Sequence, residues 1–385
     1  MAYGKKNRVK VDPLAYDLIL LGESKIGKTT LIKEICEKLG GEDCYLFLEL
    51  GQEHGADCIE GINYINCPKW NMNYDEYSNS AGFADVCEDI IENKTTDYPN
   101  LRVVIWDTYD QIIKMAEREA IRLSNNYYRK RGKTDKIAES INEAWSGFQN
   151  GQKKALELMF DMKERLNSVG VKTYVIGHVK RKEQDDMASG ESYQVLTNDQ
   201  QAVYFSELRK MFPFLGLAYI DRNIIKEKSG KKNIVTKKEE MIGKVKEENR
   251  KIKFRDDNYV IDSGSRFAEI IPEINMNADD FIEALTNAIL AEQQKSGKSV
   301  EETKAEQEKA SKAETERIYK AEKANKIQKE LDDTITEIIT YFIDNRTNLN
   351  VIKPILAKIR EMGYTTPKEI ANIDDAKIIL AMINE

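Results

Sequence analysis

The segment 22–29 carries the residues with the clearest chemical signature in the chain. It reads Gly-Glu-Ser-Lys-Ile-Gly-Lys-Thr, a pattern in which backbone amides wrap phosphate groups. In such a loop Lys28 reaches the β- and γ-phosphates of a nucleotide, and the hydroxyl of Thr29 ligates Mg²⁺. We therefore predict a site for ATP and Mg²⁺. The residues predicted to line it are Gly22, Glu23, Ser24, Lys25, Ile26, Gly27, Lys28, Thr29 and Thr30.

Asp107 is the second predicted metal ligand. It follows the apolar run Val103-Val-Ile-Trp, and a carboxylate at the end of a buried strand is what holds Mg²⁺ or its water beside a bound triphosphate. The competing interpretation is an ordinary helix cap, because Asp107 and Thr108 precede a predicted helix. We favour the metal role and count Asp107 among the catalytic residues.

A carboxylate that activates water must come from elsewhere in the chain, because the residue after the magnesium aspartate is a threonine. The loop after the second predicted strand offers two acids, Glu49 and Glu53. We prefer Glu53, since Gly51 and Gly55 flank it and allow its loop to bend over the γ-phosphate. It would orient and deprotonate the attacking water. Glu49 remains the alternative.

His178 stands at the end of another predicted strand, 171–177. A polar side chain there can hydrogen-bond the γ-phosphate and report its loss to the following segment. A structural histidine is an equally good interpretation of the sequence alone. We include His178 among the candidate catalytic residues.

The elements that must position these residues alternate between strand and helix. Short apolar runs predict strands at 16–21, 44–50, 101–107 and 171–177. Helical spacing of apolar residues predicts helices at 28–39, 111–124 and 153–168. Strands that are apolar throughout belong to a parallel sheet covered on both faces, so we predict an α/β fold with a mostly parallel central sheet.

The pattern changes after about residue 200. Runs at 215–220, 233–236 and 250–255 predict an antiparallel extension of the sheet, followed by a helix at 278–293. Residues 294–323 are rich in Glu, Lys and Ala and cannot bury a face, which predicts a charged helical linker. We predict the following organisation: an N-terminal arm at 1–13, a nucleotide-binding domain at 14–293, the linker at 294–323 and a small all-α domain at 324–385.

Composition limits the class of protein. The chain has 385 residues, with 66 acidic and 59 basic side chains and a formal net charge of −7. A uniformly basic nucleic-acid coat protein is therefore excluded, whereas a local basic groove is not. Apolar stretches reach neither the length of a membrane span nor that of a secretion signal, so we expect a cytoplasmic protein that does not engage a membrane.

Taken together, several segments resemble phage-encoded AAA-family ATPases with a RecA-type core. They are 22–29, the acidic loop after the second strand, 103–107, the strand end Ile176-Gly-His-Val-Lys180, the linker 144–151 and the segment 262–267. The resemblance covers about residues 14–290 and implies a RecA-like P-loop NTPase domain that hydrolyses ATP. It also implies action in phage DNA recombination or replication, in the host cytoplasm.

The resemblance further implies partners. Such ATPases engage single-stranded DNA and assemble as homo-oligomers, with cations from a neighbouring subunit reaching the γ-phosphate; here the candidates are Lys180, Arg181 and Arg266. Residues 182–200 would form a mobile loop facing DNA or a neighbour, and the C-terminal helices would dock a recombination or replication protein.

Other features leave alternatives open. The segment 127–133 interleaves two tyrosines with four cations, which suits stacking on bases and binding of phosphates, although a solvated helix end fits equally well. Glu23 is an acid in a loop that usually has small residues. The acid after the second strand is displaced by extra residues from the position that such ATPases usually give it. These departures favour the alternative of a nucleotide-gated assembly or scaffold protein with little turnover. GTP is disfavoured, because the chain has no Asn-Lys-x-Asp run.

Overall fold

The computed structural model describes residues 9–52, 54–185, 192–232, 239–255, 263–295, 297, 299–346 and 348–384. The chain divides into two compact units, the first made of Met1–Ile91 and Pro99–Lys309 and the second of Glu92–Tyr98 and Ala310–Glu385. Three sequence-based predictions lie outside the described residues: the role of Glu53, the strand at 233–236, and Asp262.

One sheet organises the first unit. Its strands are β1 (Leu18–Gly22), β2 (Tyr45–Leu50), β3 (Tyr64–Lys69), β4 (Ser80–Gly82), β5 (Val103–Asp107), β6 (Lys172–Asp185), β7 (Ser192–Asn198), β8 (Phe214–Lys232), β9 (Glu239–Lys253), β10 (Gly264–Ser265) and β11 (Glu273–Asn275). Their order across the sheet is β11-β9-β8-β1-β6-β5-β2-β3-β4, with β10 paired to β8 and β7 paired to β6.

The sheet is parallel at its centre and antiparallel at one side. β8, β1, β6, β5, β2, β3 and β4 run parallel, whereas β9, β11, β10 and β7 join by antiparallel pairing. The central strands are buried along almost their whole length, as the uninterrupted apolar runs predict. The predicted α/β fold class, with a mostly parallel central sheet and an antiparallel extension, is confirmed. One strand, β6, separates the phosphate-loop strand β1 from the aspartate strand β5.

Helices cover the sheet and form the second unit. They are α1 (Lys28–Gly40), α2 (Phe83–Glu92), α3 (Tyr109–Arg129), α4 (Asn150–Ser168), α5 (Ala202–Met211), α6 (Ala278–Gln294), α7 (Val300–Asp344), α8 (Leu349–Glu361) and α9 (Ile373–Asn384). The apolar stripe of α1, which includes Leu31, Ile32 and Ile35, packs on the same sheet face as α6. The sequence pattern therefore fixes which face of α1 is buried.

A buried ion pair attaches α4 to the sheet. The ammonium group of Lys163 is 2.7 Å from a carboxylate oxygen of Asp17, and the other oxygen of Asp17 accepts the Thr173 amide. Lys163 is only 2% exposed. Removing one partner of such a pair leaves an uncompensated charge in the interior, so both residues are needed together.

One segment differs in form from its prediction, and another differs only in where it ends. Within 182–200, residues 182–185 and 192–198 are not a loop but the arms of an antiparallel hairpin, β6 and β7, in which Arg181 pairs with Leu196. The predicted linker 294–323 lies largely within α7, which continues without a break past residue 324. Its many Lys, Glu and Ala residues have high helix propensity. Contrary to the expectation that this segment buries nothing, Thr303, Ile318 and Glu322 within it are buried.

The second unit has a small apolar core of its own. It is formed by the later part of α7 with α8 and α9, through Leu331, Ile338, Ile355, Ile359, Ile370, Ala376 and Ile379. The all-α character predicted for this part of the chain is confirmed. None of the described helices has the length and low polarity needed to cross a membrane.

Candidate functional site

The segment 22–29 forms a tight loop between β1 and the first turn of α1. Gly27 caps the helix with a φ of 103°, and Lys25 has a φ of 62°. Left-handed backbone at these two positions turns successive amides toward the same side, because the chain cannot continue as a strand or enter the helix directly. The loop thus places amides at the positive end of α1, where an anionic group is stabilised.

Gly22 is required by close packing. A Cβ atom there would lie 3.0 Å from both the Cβ and the carbonyl oxygen of Ala218 on β8, and 3.2 Å from the Lys28 side chain. Any larger residue would push the loop away from β8 or displace Lys28. The first glycine of the motif therefore serves strand packing as well as loop geometry.

Lys28 is held inside the loop by backbone carbonyls. Its ammonium group donates to the Gly22 carbonyl at 3.1 Å and to the Glu23 carbonyl at 2.9 Å, and the residue is only 6% exposed. These two carbonyl oxygens orient the ammonium group within the loop, where it can contact a bound anion. This is the placement expected of a residue that binds the terminal phosphates.

Thr29, in the first turn of α1, meets Asp107 at the end of β5, although β1 and β5 are not neighbouring strands. The Thr29 hydroxyl donates to a carboxylate oxygen of Asp107 at 2.8 Å. A hydroxyl and a carboxylate are hard oxygen ligands of the kind that Mg²⁺ takes alongside phosphate oxygens. The donor set fits this ion, and the cradle of amides beside it fits a triphosphate.

Glu49 is the acid that the structure brings to this side of the sheet. It pairs in register with Asp107 across β2 and β5, and side chains in register on parallel strands point to the same face. One carboxylate oxygen accepts the Ala56 amide at 2.9 Å, while the other is buried without a hydrogen-bond partner among the described residues. Burial raises the pKa of Glu49, and the Ala56 amide only partly opposes this. A basic, partly unsatisfied carboxylate is suited to accepting a proton.

His178 lies beside Gly22 and contacts an aspartate that the sequence analysis overlooked. Gly22 pairs with His178 across β1 and β6, and the Nδ1 atom of His178 is 3.4 Å from a carboxylate oxygen of Asp110. Burial alone would raise the pKa of Asp110, but hydrogen bonds from His178 and Thr108 outweigh it and lower the pKa to about 2. Asp110 is thus a fixed negative charge that orients the imidazole.

Asp110 also connects His178 to the loop after β2. The Gln111 side chain donates to Asp110 at 3.1 Å. Gly51, with a φ of 68°, packs so closely on Gln111 that a Cβ atom would lie 2.6 Å from the amide oxygen. A continuous set of contacts therefore runs from His178, midway along β6, to the loop that follows β2. The spacing Asp-Thr-Tyr-Asp after β5 was the available sequence signal for Asp110.

Arg250 is a second residue that the sequence analysis missed. Its guanidinium donates to the Ile26 carbonyl inside the phosphate loop at 3.0 Å. The topology explains the reach: β1 pairs with β8 at Gly22 and Ala218, and β8 pairs with β9 at Ile220 and Arg250, just past the end of β1. Only the strand pairing shows this, because 228 residues separate Gly22 from Arg250 in the sequence.

The acid inside the phosphate loop also faces this hairpin. The pKa of Arg222 is raised mainly by its hydrogen bond to Glu248, and the charge of Glu23 adds to the effect. Arg222 donates to Glu248 at 2.6 Å. Glu23 therefore lies within electrostatic reach of Arg222 on β8.

Replacing Arg250 by alanine is expected to weaken MgATP binding about fivefold, because a partly exposed charged hydrogen bond that orders the loop contributes about 1 kcal/mol. Calorimetric titration with MgATP measures the change. Arg255→Ala is the matched control, since Arg255 donates to the Ala268 carbonyl at 3.1 Å away from the loop. Equal affinities for the two variants would show that Arg250 does not order the loop.

The remaining predicted residues are placed as follows. Lys180 donates to the Asp199 carbonyl at 3.0 Å and Arg266 to the Lys210 carbonyl, so both are held within their own chain, and their action across a subunit interface stays a prediction. In the segment 127–133, Tyr128 is buried and hydrogen-bonded to Ser146. The guanidinium of Arg131 lies 3.6 Å from the ring centroid of Tyr127. Tyr128 therefore offers no open ring, whereas Tyr127 is 39% exposed with Arg131 over one face, and nucleic-acid binding by this segment stays a prediction.

Comparison with protein families assigns this chain to one of them. A family model described as an AAA domain matches residues 14–248, which is more than half of the chain. The crystal structure of the KaiC-like protein PH0186 from the hyperthermophilic archaeon Pyrococcus horikoshii OT3 is similar at 15% identity, with a TM-score of 0.31, over 66% of this chain and 90% of that chain. Among proteins of curated function, none matches this sequence. The chain belongs to the AAA domain family, and its first unit is a P-loop NTPase core.

Proposed function

We propose that this protein binds MgATP in the loop 22–29, hydrolyses it, and uses the nucleotide state to control its engagement of single-stranded DNA in recombination or replication. The observation that carries the nucleotide part is the 2.8 Å contact between Thr29 and Asp107, which joins the phosphate loop to the end of a strand two positions away. The DNA part is supported by the resemblance of the motifs to phage-encoded ATPases.

Each residue has a defined task in this proposal. Lys28 and the loop amides bind the phosphates, while Thr29 and Asp107 hold Mg²⁺, which when bound polarises the terminal phosphate. Glu49 accepts the proton of the attacking water, and we now prefer it to Glu53 because of its register with Asp107. His178, which Asp110 orients, hydrogen-bonds the γ-phosphate.

The contacts from His178 to Gly51 support a control function. A γ-phosphate bound beside His178 would shift the position of Asp110, which His178 contacts. Gln111 and Gly51 would move with Asp110, because Gln111 is hydrogen-bonded to Asp110 and packs tightly against Gly51. The strand that carries His178 continues directly into the β6–β7 hairpin. A change in the bound nucleotide would therefore alter the position of both the loop after β2 and the β6–β7 hairpin.

The test is release of phosphate from MgATP with and without an oligothymidylate single strand. The proposal predicts measurable turnover that rises several-fold when the strand is present. Turnover that is the same with and without DNA would contradict the DNA half. MgATP-dependent oligomerisation without turnover would instead support the alternative, a nucleotide-gated assembly protein.

A further inference from the structure

The β8–β9 hairpin extends past the end of β1, where the phosphate loop begins. β8 pairs with β1 only as far as Ala218, which lies opposite Gly22. From Ile220 to Lys232, the described partner of β8 is β9 alone. We call this two-stranded part, 220–232 with 239–250, the ribbon. A two-stranded ribbon is only marginally stable in water, so its order depends on the contacts made at its base.

Arg250 joins the base of the ribbon to the phosphate loop. It pairs with Ile220, the first residue of the ribbon on β8. Its guanidinium donates to the Ile26 carbonyl at 3.0 Å, and the same nitrogen would lie 3.6 Å from a Cβ atom at Gly27. These two loop residues immediately precede Lys28 and the first turn of α1. Arg250 therefore contacts the part of the loop that turns its amides toward a phosphate.

Arg222 adds a second link at the same end of the ribbon. It lies two residues beyond Ile220 on β8 and donates to Glu248 on β9 at 2.6 Å, so it joins the two strands to each other. Glu23, the first residue of the loop after Gly22, is within electrostatic reach of Arg222. The base of the ribbon thus lies beside both the beginning and the end of the phosphate loop.

We propose that MgATP bound in the loop 22–29 stabilises the ribbon through Arg250, which makes the ribbon an element whose order depends on the nucleotide. This inference rests on the nucleotide binding of the proposed function. A bound triphosphate fixes the loop amides, and with them the Ile26 carbonyl that Arg250 uses as its acceptor. Opening of the ribbon breaks this hydrogen bond, so opening becomes less favourable when the loop is occupied.

The size of the effect follows from linkage. Coupling between two sites is reciprocal, so the factor by which Arg250 strengthens MgATP binding is also the factor by which MgATP opposes loss of the Arg250 contact. The affinity change of about fivefold expected for Arg250→Ala therefore predicts that MgATP stabilises the base of the ribbon by about fivefold.

The ribbon is separate from the hairpin that His178 adjoins. β1 lies between β6, which carries His178, and β8, which carries half of the ribbon. The terminal phosphate acts on the β6 side of β1, whereas the turn of the loop at Ile26 acts on the β8 side. Nucleotide binding would therefore alter two elements independently, and the effect on the ribbon requires no nucleic acid.

Amide hydrogen exchange of the full chain, followed by mass spectrometry with and without MgATP, tests the inference. Peptides from 220–232 and 239–250 report opening of the ribbon, and peptides from 22–30 report occupancy of the loop. Wild type, Arg250→Ala and Arg255→Ala are compared, each at an MgATP concentration that saturates it by calorimetry. Both arginines are exposed, so neither substitution disturbs the core. Arg255→Ala is the matched control, because Arg255 donates to the Ala268 carbonyl.

In wild type and in Arg255→Ala, we expect MgATP to protect the loop and to slow exchange at the base of the ribbon by about fivefold. In Arg250→Ala the loop should still be protected, whereas the ribbon should exchange at the same rate with and without MgATP. A protected loop with an unchanged ribbon in wild type would overturn the inference, as would protection of the ribbon that survives in Arg250→Ala. If MgATP protects neither segment in wild type, the proposed nucleotide site is wrong and the inference falls with it.

Discussion

Replacing Glu49 by glutamine is expected to lower ATP turnover by about 10²–10³-fold, because the amide cannot accept the proton of the attacking water. MgATP affinity should stay within about threefold of wild type, since Glu49 acts on water and not on the phosphates in the ground state. The substitution is nearly isosteric and keeps an oxygen that can accept the Ala56 amide, so this hydrogen bond to the loop after β2 is retained. Steady-state phosphate release and calorimetric titration measure the two quantities.

Two control variants separate this role from general effects. Glu60→Gln removes an exposed acid from the segment after the same loop and should leave turnover unchanged. Glu53→Gln tests the acid preferred from the sequence. If Glu53→Gln abolishes turnover and Glu49→Gln does not, the assignment of the base to Glu49 is wrong.

The pH dependence of turnover gives an independent test of Glu49. Burial raises its pKa, so the carboxylate takes up a proton at a higher pH than an exposed glutamate does. Activity should therefore fall on the acid side at a pH above the ordinary carboxylate range, because only the ionised form accepts a proton. The residual activity of Glu49→Gln should not show this fall on the acid side of the pH profile.

Replacing Lys28 by alanine is expected to weaken MgATP binding by at least about 100-fold, because two charge-assisted hydrogen bonds to phosphate together contribute about 3 kcal/mol. Turnover should fall to the background of the assay. The side chain is 6% exposed and bridges the Gly22 and Glu23 carbonyls, so the loop also loses an internal brace.

A second variant distinguishes lost charge from lost packing. Lys28→Met keeps most of the apolar stem and removes only the ammonium group, and we expect it to be as defective as Lys28→Ala. Lys33→Ala, on the next turn of α1, removes a lysine that pairs with Glu37 at 2.9 Å and should bind MgATP normally. Wild-type affinity in Lys28→Met would contradict the role given to the ammonium group.

Much of the nucleotide site could be predicted because its residues are close in sequence or follow a simple rule. The loop 22–29 is one continuous segment, and a carboxylate at the end of a buried strand places Asp107 at the carboxyl edge of the sheet. That the two meet depends on strand order, and the alternation of strands and helices predicts a parallel sheet without specifying its order.

The preference for Glu53 over Glu49 shows where sequence reasoning reached its limit. Glycines around Glu53 indicate a flexible loop, which is a local signal. The register of Glu49 with Asp107 is set by pairing between strands more than 50 residues apart, and it has no local signal.

Arg250 was beyond prediction for the same reason. Glu residues alternate with Lys along β8 and β9, which reads as a charged surface. The pairing of β9 with β8, and of β8 with β1, selects Arg250 and brings it to the phosphate loop.

Calorimetric titration of MgATP into the unaltered protein tests the central claim most directly, namely that the loop 22–29 holds a triphosphate. We predict saturable binding at one site per chain, with a heat that disappears when EDTA removes the metal, because Thr29 and Asp107 engage the nucleotide through Mg²⁺. Absence of binding heat at several temperatures, together with an unchanged unfolding temperature in saturating MgATP, would contradict the account.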